Sequence, residues 1–305
     1  MALGVKGTDS AIAIETRGLT KDYGSGRGIF DLDLTVMVGE VVGYLGPNGA
    51  GKTTTIKLLM GMIHASRGAA SVFGLDADRD SVALKRRIGY VPGELPNFGG
   101  WRGAQVVKYV AGLRGEVDVQ AVADLATMLS LDLGRPYREY SHGNKQKLAL
   151  VLAFMHRPAL LILDEPTSGL DPLHQQVFYS LVRDARARGT TVFVSSHVLS
   201  EVEHVCDRVA IVRAGRLVAV SRLDELVGLR AHRIEIEFAD SAPAETLRAV
   251  PGLEELTVDG SRVTALHRGS FDPLLRALAG RPVVKLISRE PTLEEIFLSY
   301  YRETR

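Results

Sequence analysis

The chain of 305 residues is short of several things that would steer its chemistry elsewhere. It has a single cysteine, Cys206, so no disulfide can form within it and a reducing compartment is expected. In a helical stretch, that thiol is expected to be a small buried hydrophobe. A surplus of one charge is also lacking. The 37 basic and 36 acidic residues leave a net charge of +1, too little to hold a polyanion nonspecifically, so no nucleic acid partner is expected. No stretch reaches the ~18 apolar residues that cross a bilayer, and the opening MALGVKGTDS has no apolar leader core. A cytoplasmic chain that touches a membrane only through a partner is expected.

What is present is concentrated in GPNGAGKTT, residues 46–54, entered from the apolar run 40–45 and followed by helical periodicity. Gly46, Gly51, Lys52 and Thr53 fit G-x-x-x-x-G-K-[ST], the loop that holds a nucleotide polyphosphate. Its glycines let Pro47, Asn48, Gly49 and Ala50 curl so that amides point inward, and the helix that follows adds the positive end of its dipole. Lys52 supplies charge for the outer phosphates, Thr53 an oxygen for magnesium, and Thr54 completes the turn. The expected ligands are ATP and Mg2+.

Strands are predicted at 12–19 and 31–38, and a helix from Lys52 with Ile56, Leu59, Met60 and Ile63 on one face. Short strands at 70–73 and 88–91 flank a charged helix at 81–87. The stretch 92–103 is predicted to be a loop, and 104–135 a helical insertion. Ser141 is a good helix N-cap. The apolar run 159–163 ends in Asp164-Glu165-Pro166, which has the look of a central parallel strand with acids at its carboxyl end. Asp171-Pro172 opens a helix with Leu173, Val177, Leu181 and Val182 facing inward. A core strand at 190–194 ends in Ser195-Ser196-His197, and a helix at 198–206 and a hairpin at 209–220 complete the first domain.

From Ser221 the pattern changes. Ser221 and Asp224 suggest a capping box. Strands at 234–238, 255–258, 262–267 and 283–287 with helices at 243–249 and 271–279 give the order βαββαβ, the ferredoxin-like arrangement. A last helix is expected at 293–301, and His232 and His267 are expected at the surface. The domains are placed at 1–227, with a helical insertion at about 94–157, and at 228–305.

Asp164 is placed to hold magnesium, and Glu165 to orient or deprotonate an attacking water. Two successive carboxylates on a strand point to opposite faces, but at a strand end the chain can turn both onto one site. Ser141, with the amides of Gly143 and its neighbours, makes a second anion-binding helix start.

YSHGNKQ at 140–146, LLILDEPTSGLD at 160–171 and SSH at 195–197, in that order after the phosphate loop, resemble the signature, Walker B with D-loop, and switch histidine of an ABC transporter's nucleotide-binding subunit. The resemblance covers residues 12 to about 227. It implies an α/β fold: a P-loop NTPase of the ABC type, a mixed sheet with a helical insertion, followed by the small α+β ferredoxin-like domain. It also implies that His197 contacts the γ-phosphate, that Tyr23 stacks on adenine, and that Asn144 and Asp171 of the signature and D-loop belong to the nucleotide site. Two copies would face head to tail, each phosphate loop closed by the other's signature. A separate transmembrane permease would dock between the insertion and the 92–103 loop, with Trp101 and Phe98 as anchors or as core residues. The chain would then work at the cytoplasmic face of the cell membrane.

Two departures stand out. Gly93 and Glu94 occupy the place of the family's glutamine, and His142 replaces the first glycine of the signature, as Asn144 replaces its glutamine. These changes, and EPTLEEIFLSYY at 290–301, resemble the branch that exports drugs and antibiotics. Alternatives are a soluble relative acting on DNA or ribosomes, and a nucleotide-binding regulator that hydrolyses poorly.

Overall fold

Strands that are apolar on both sides end up in the middle of a sheet, and three of them position everything that follows. In the structure, a computed structural model that describes residues 12–115, 117–223 and 232–289, β3 (Val41–Leu45), β7 (Leu160–Asp164) and β8 (Thr191–Ser196) are buried along their whole length. With β6 (Ile88–Val91), β9 (Arg208–Arg213) and β10 (Arg216–Arg222) they form a sheet of order β10-β9-β3-β8-β7-β6. All its pairs are parallel except the β9–β10 hairpin. Register decides what the sheet presents: Leu45 pairs with Ser196, and Asp164 with Ser195. The three chains that leave β3, β7 and β8 therefore depart from one edge, at the carboxyl ends where open α/β sheets bind ligands.

A second sheet, order β2-β1-β4-β5, is antiparallel and comprises β1 (Ile12–Asp22), β2 (Gly28–Met37), β4 (Arg67–Val72) and β5 (Leu75–Asp76). Its Ile14, Leu34, Val36 and Val72 join Val42, Tyr44, Ile162 and Phe193 of the parallel sheet in one core. Seven helices surround the sheets: α1 (Lys52–Leu59), α2 (Ser81–Arg87), α3 (Gly103–Arg114), α4 (Val119–Met128), α5 (His142–Phe154), α6 (Pro172–Ala187) and α7 (Leu199–Val205). α3 to α5 occupy the stretch predicted as the helical insertion.

Two local expectations are corrected. The helix after the phosphate loop stops at Leu59, before Ile63, because Gly61 takes a left-handed φ of 57° and a side chain there would meet the Ala77 carbonyl. Leu173 is 77% exposed. It lies in the first turn of α6, while Phe178, Tyr179, Leu181, Val182 and Ala185 form the buried face. Ser221 pairs with Val209 inside β10, and the helix it is expected to cap lies outside the described residues.

The chain divides into two compact units, residues 1–223 and 224–305. The described part of the second contains β11 (His232–Phe238), α8 (Ala244–Arg248), β12 (Leu253–Asp259), β13 (Arg262–His267), α9 (Asp272–Leu278) and β14 (Val283–Arg289). The sheet is antiparallel with order β12-β13-β11-β14, as in ferredoxin-like folds. Here the expected surface position of His267 is wrong. Val263, Ala265 and His267 alternate onto the helix side of β13, and His267 is fully buried, its ring stacked on Phe271 at 4.6 Å. Burial, and secondarily His232, hold its imidazole below the usual range. His232, half-buried, meets Phe271 edge-on. The helices expected after Asp224 and at 293–301 lie outside the described residues, as does the EPTLEEIFLSYY stretch.

Candidate active site

The loop that follows β3 has the shape its glycines allow. At Gly46 a Cβ would sit 2.4 Å from the Val212 carbonyl oxygen, so the loop passes β9 only without a side chain. Gly49 and Gly51 take φ of 80° and 106°, in the left-handed region that glycine enters without strain. Lys52 then starts α1, and no acidic residue in its first turn offsets the positive end of the helix. The Lys52 ammonium is 6% exposed; it donates to the carbonyls of Gly46 at 2.6 Å and Pro47 at 3.3 Å and pairs with Glu165 Oε1 at 3.1 Å.

A cavity of about 430 Å³ opens beside this loop. Tyr23, Pro47, Asn48, Gly49, Gly51, Lys52, Thr53, Thr54 and Glu165 all line it, together with Gly26, Arg27, Gly28 and Ala214. The Tyr23 ring is half exposed, with Lys21 Nζ 5.4 Å from its centre. The cavity is thus lined by a half-exposed aromatic and by the glycine-rich loop with its lysine.

The two carboxylates reach one place because the backbone turns between them. Asp164 closes β7 and is fully buried; Thr53 Oγ1 donates to its Oδ2 at 2.8 Å and Ser195 Oγ to its Oδ1 at 2.5 Å. Glu165 takes a left-handed φ of 49°, costly for a residue with a Cβ and typical of functional positions. This swings its carboxylate back toward Lys52, and its Oε2 lies 2.8 Å from His197 Nδ1. Glu165 therefore stands between a cation and an imidazole.

A metal with a large shell of protein ligands would not fit, since no group of three or more His, Cys, Asp or Glu side chains gathers among the described residues. Thr53 and Asp164 offer two adjacent hard oxygens, which suits magnesium, an ion that completes its shell with waters and phosphates. Gly93 crowds this pair: its Cβ, if present, would lie 2.8 Å from Asp164 Oδ2. The position where the family's glutamine is usual has no room for a side chain in this arrangement.

The second anion-binding helix start sits elsewhere. Ser141 caps α5, its hydroxyl accepting the Asn144 amide at 3.2 Å. Gly143 touches the turn after Glu165 so closely that a Cβ would meet the Gly169 carbonyl at 2.6 Å. Gln146 of α5 donates its amide to Pro166 at 2.8 Å and Glu165 at 3.3 Å, tying the helix to the Glu165 turn. Lower on α5, buried Lys147 donates to His174 Nε2 at 2.9 Å, which leaves Nδ1–H to donate to Asp171 Oδ2 at 2.7 Å. Burial lowers the Lys147 ammonium's pKa, and the backbone and ring N–H groups of His174 hold the Asp171 carboxyl below the usual range. Ser141, Gly143, Asn144 and Asp171 are not among the residues that line the cavity at the phosphate loop. Within one chain the start of α5 and the loop cavity remain separate.

Motif reasoning passed over Ser195, which fixes Asp164, and Gln146, which fixes the Glu165 turn, though both lie inside motifs that were noticed. Paired serines at the carboxyl end of an apolar core strand, Ser195 and Ser196, were the available signal.

A second cavity, also about 430 Å³, lies along α5 and the 92–102 loop. Phe98, Val110, Tyr137, Leu148 and Leu152 form its apolar walls, with Lys57, Glu94, Arg114 and Lys145 among them. Tyr90 lines it as well, its hydroxyl pushed up to about 12 by burial and by the Asp164 carboxylate. Phe98 packs edge-on against Tyr137. Trp101 does not line this groove; it is 45% exposed and meets Tyr109 edge-on.

A phosphate loop with lysine and threonine, an acid pair at the end of the adjacent strand and a histidine at the end of the next define a P-loop ATPase cassette. Residues 29–168 match the family described as ABC transporter. The bacitracin transport ATP-binding protein BcrA of Bacillus licheniformis is 33% identical over 93% of this chain and 96% of its own. The Nod factor export ATP-binding protein I of Burkholderia orbicola is 31% identical over 95% and 97%. An ATP-binding subunit of an ABC transporter superposes with a TM-score of 0.65 at 29% identity, covering 71% of this chain and 92% of that one. The chain belongs to the ATP-binding proteins of ABC transporters, and it is an ATPase of that family.

Proposed function

We propose that this chain is the ATP-hydrolysing subunit of an exporter for a small molecule such as an antibiotic or drug, working with a separate membrane permease. Relatives named for bacitracin transport and Nod factor export, aligned over nearly their full lengths, support the export direction and the small cargo. Among the described residues no helix is long and apolar enough to cross a membrane, so the route itself belongs to a partner. The groove along α5 and the 92–102 loop is where that permease docks, with Phe98 on its wall, and the chain works peripherally at the cytoplasmic face of the membrane.

The observation that carries the proposal is Glu165 held between Lys52 at 3.1 Å and His197 at 2.8 Å, beside the buried Asp164–Thr53 pair. Lys52 and the loop amides from Gly46 to Thr54 bind the phosphates, and Tyr23 stacks on adenine. Thr53 and Asp164 would hold magnesium, which would neutralise phosphate charge. Glu165 accepts a proton from the attacking water, and His197 keeps Glu165 and the γ-phosphate in line. Phosphoryl transfer depends on such positioning more than on covalent help.

Because the signature residues Ser141, Gly143 and Asn144 lie away from the phosphate loop of their own chain, they close the site of a second copy, with Asp171 near the junction. Glu165→Gln tests this reading. It removes the base while keeping the shape, so hydrolysis is lost and an ATP-bound dimer accumulates, seen by size exclusion with light scattering. Unchanged turnover in Glu165→Gln would overturn the assignment.

A further inference from the structure

Glu201, in the first turn of α7, belongs to none of the motifs that define the site, yet its carboxylate joins two of them. Oε1 accepts the Thr167 hydroxyl at 2.5 Å, and Oε2 accepts the Ser196 hydroxyl at 2.6 Å. Thr167 lies two residues after Glu165, and Ser196 immediately before His197. Both donors are buried, at 4% and 0% exposure. Ser196 Oγ also accepts the Val198 amide at 2.9 Å, so this hydroxyl is used as donor and acceptor.

These contacts close a ring. Glu165 touches His197 on the front, at 2.8 Å, and behind them Thr167, Glu201 and Ser196 link the same two backbone segments. A carboxylate with a hydroxyl donor on each oxygen makes short, charge-assisted bonds, about twice as strong as neutral ones. Without it, the front contact would depend on the end of the β7–β8 ladder and on the bonds from the Glu165 amide to Ser195, at 3.2 Å, and from Ser195 to Asp164.

We propose that Glu201 is a positioning residue for ATP hydrolysis: it bridges Thr167 and Ser196 so that Glu165 and His197 hold a common geometry toward the γ-phosphate. This rests on the ATPase reading above. The bridge needs two acceptors or an equivalent, and glutamine supplies one. Its amide oxygen would accept from Thr167 while its NH2 donates to Ser196 Oγ, whose hydrogen turns to the Val198 carbonyl, already 3.2 Å away. Alanine supplies nothing.

The test measures steady-state Mg-ATP turnover of the full chain, with nucleotide affinity from a fluorescent ATP analogue, in Glu201→Ala, Glu201→Gln and Thr167→Val beside wild type and Glu165→Gln. Glu201→Ala is expected to lower kcat by about 10- to 100-fold, as sub-ångström misplacement of reacting groups does, with affinity within about threefold of wild type. Glu201→Gln is expected to stay within about threefold of wild-type kcat, and Thr167→Val to fall between the two. Thr167→Val decides the matter if Glu201→Ala does not fold. A wild-type rate in Glu201→Ala or, failing that, in Thr167→Val overturns the bridge. So does an equal loss in Glu201→Gln and Glu201→Ala, or a fall in affinity matching the fall in kcat. If the wild-type chain itself shows no turnover that Glu165→Gln removes, the ATPase reading fails instead, whatever Glu201 does.

Discussion

Replacing Gly93 by alanine adds one methyl group against Asp164, the proposed magnesium ligand. The new Cβ would lie 2.8 Å from Asp164 Oδ2, whereas ordinary van der Waals contact begins at 3.4 Å. Something must yield by about 0.6 Å, and close-packed surroundings give way reluctantly. Asp164 is fully buried and held through both oxygens, by Ser195 at 2.5 Å and Thr53 at 2.8 Å, so moving it disturbs two hydrogen bonds. Gly93 itself sits in an exposed loop, which absorbs part of the strain. Overpacking costs about 1–3 kcal/mol where nothing relaxes. With a yielding loop about 1 kcal/mol remains, which weakens an ion held at Asp164 roughly fivefold. The loss should concentrate in the magnesium requirement, since the oxygen that is pressed is the one facing Thr53. Turnover at saturating ATP against magnesium concentration measures it: Gly93→Ala is expected to raise the half-saturating magnesium several-fold, and its melting temperature should move by only about 2–4 °C. Gly93→Gln, which restores the residue usual in the family, should do worse than alanine. Wild-type magnesium dependence in Gly93→Ala, or a gain of activity in Gly93→Gln, would refute the crowding argument.

Other outcomes follow from the same structure. Lys52→Ala removes a buried ammonium bonded to two loop carbonyls and Glu165; nucleotide affinity, read by fluorescence titration, should fall at least about tenfold, as the loss of a charge-assisted bond of about 1.5–3 kcal/mol implies. His174→Ala breaks the link from Lys147 to Asp171 and leaves a buried ammonium without its acceptor, so chemical denaturation should show a loss of about 1–3 kcal/mol, while His174→Gln should recover part of it. Gly43→Ala would press a Cβ to 2.6 Å from Val202 and 3.1 Å from Cys206 Sγ, and a thermal melt should report about 1–3 kcal/mol of destabilisation. For His267 the sign follows from its depressed pKa: the unfolded chain binds the proton more readily, so stability is full above the ordinary value of 6.5 and declines as pH falls below it. Urea melts of the full chain at pH 7.5 and 5.5, followed by a probe in the second unit, should show this decline, and His267→Phe should flatten it.

The parallel strands were legible because the runs to Leu45, Leu163 and Val194 carry no charged residue and are almost wholly apolar, a pattern that suits a strand covered on both faces. Their ends carried the chemistry, so Lys52, Asp164, Glu165 and His197 were found with them. What sequence could not supply was direction at the ends. Nothing in Asp164-Glu165 announces the left-handed turn that brings both carboxylates to one side, and nothing at Gly93 reveals that Asp164 stands behind it. Leu173 misled because helical periodicity assigns a face but does not say at which turn burial begins: the buried residues of α6 start at Phe178. His267 misled for a different reason: its residue type argued for the surface, while the alternation of Val263, Ala265 and His267 argued for the interior and was the better guide.

The backbone at Glu165 sets heat tolerance against work. A left-handed φ costs a side-chain-bearing residue about 1 kcal/mol that glycine or asparagine would largely recover. A population of variants selected for thermal survival alone should drift toward those two residues at position 165, gaining robustness and losing turnover, whereas selection for transport should hold the strained glutamate in place.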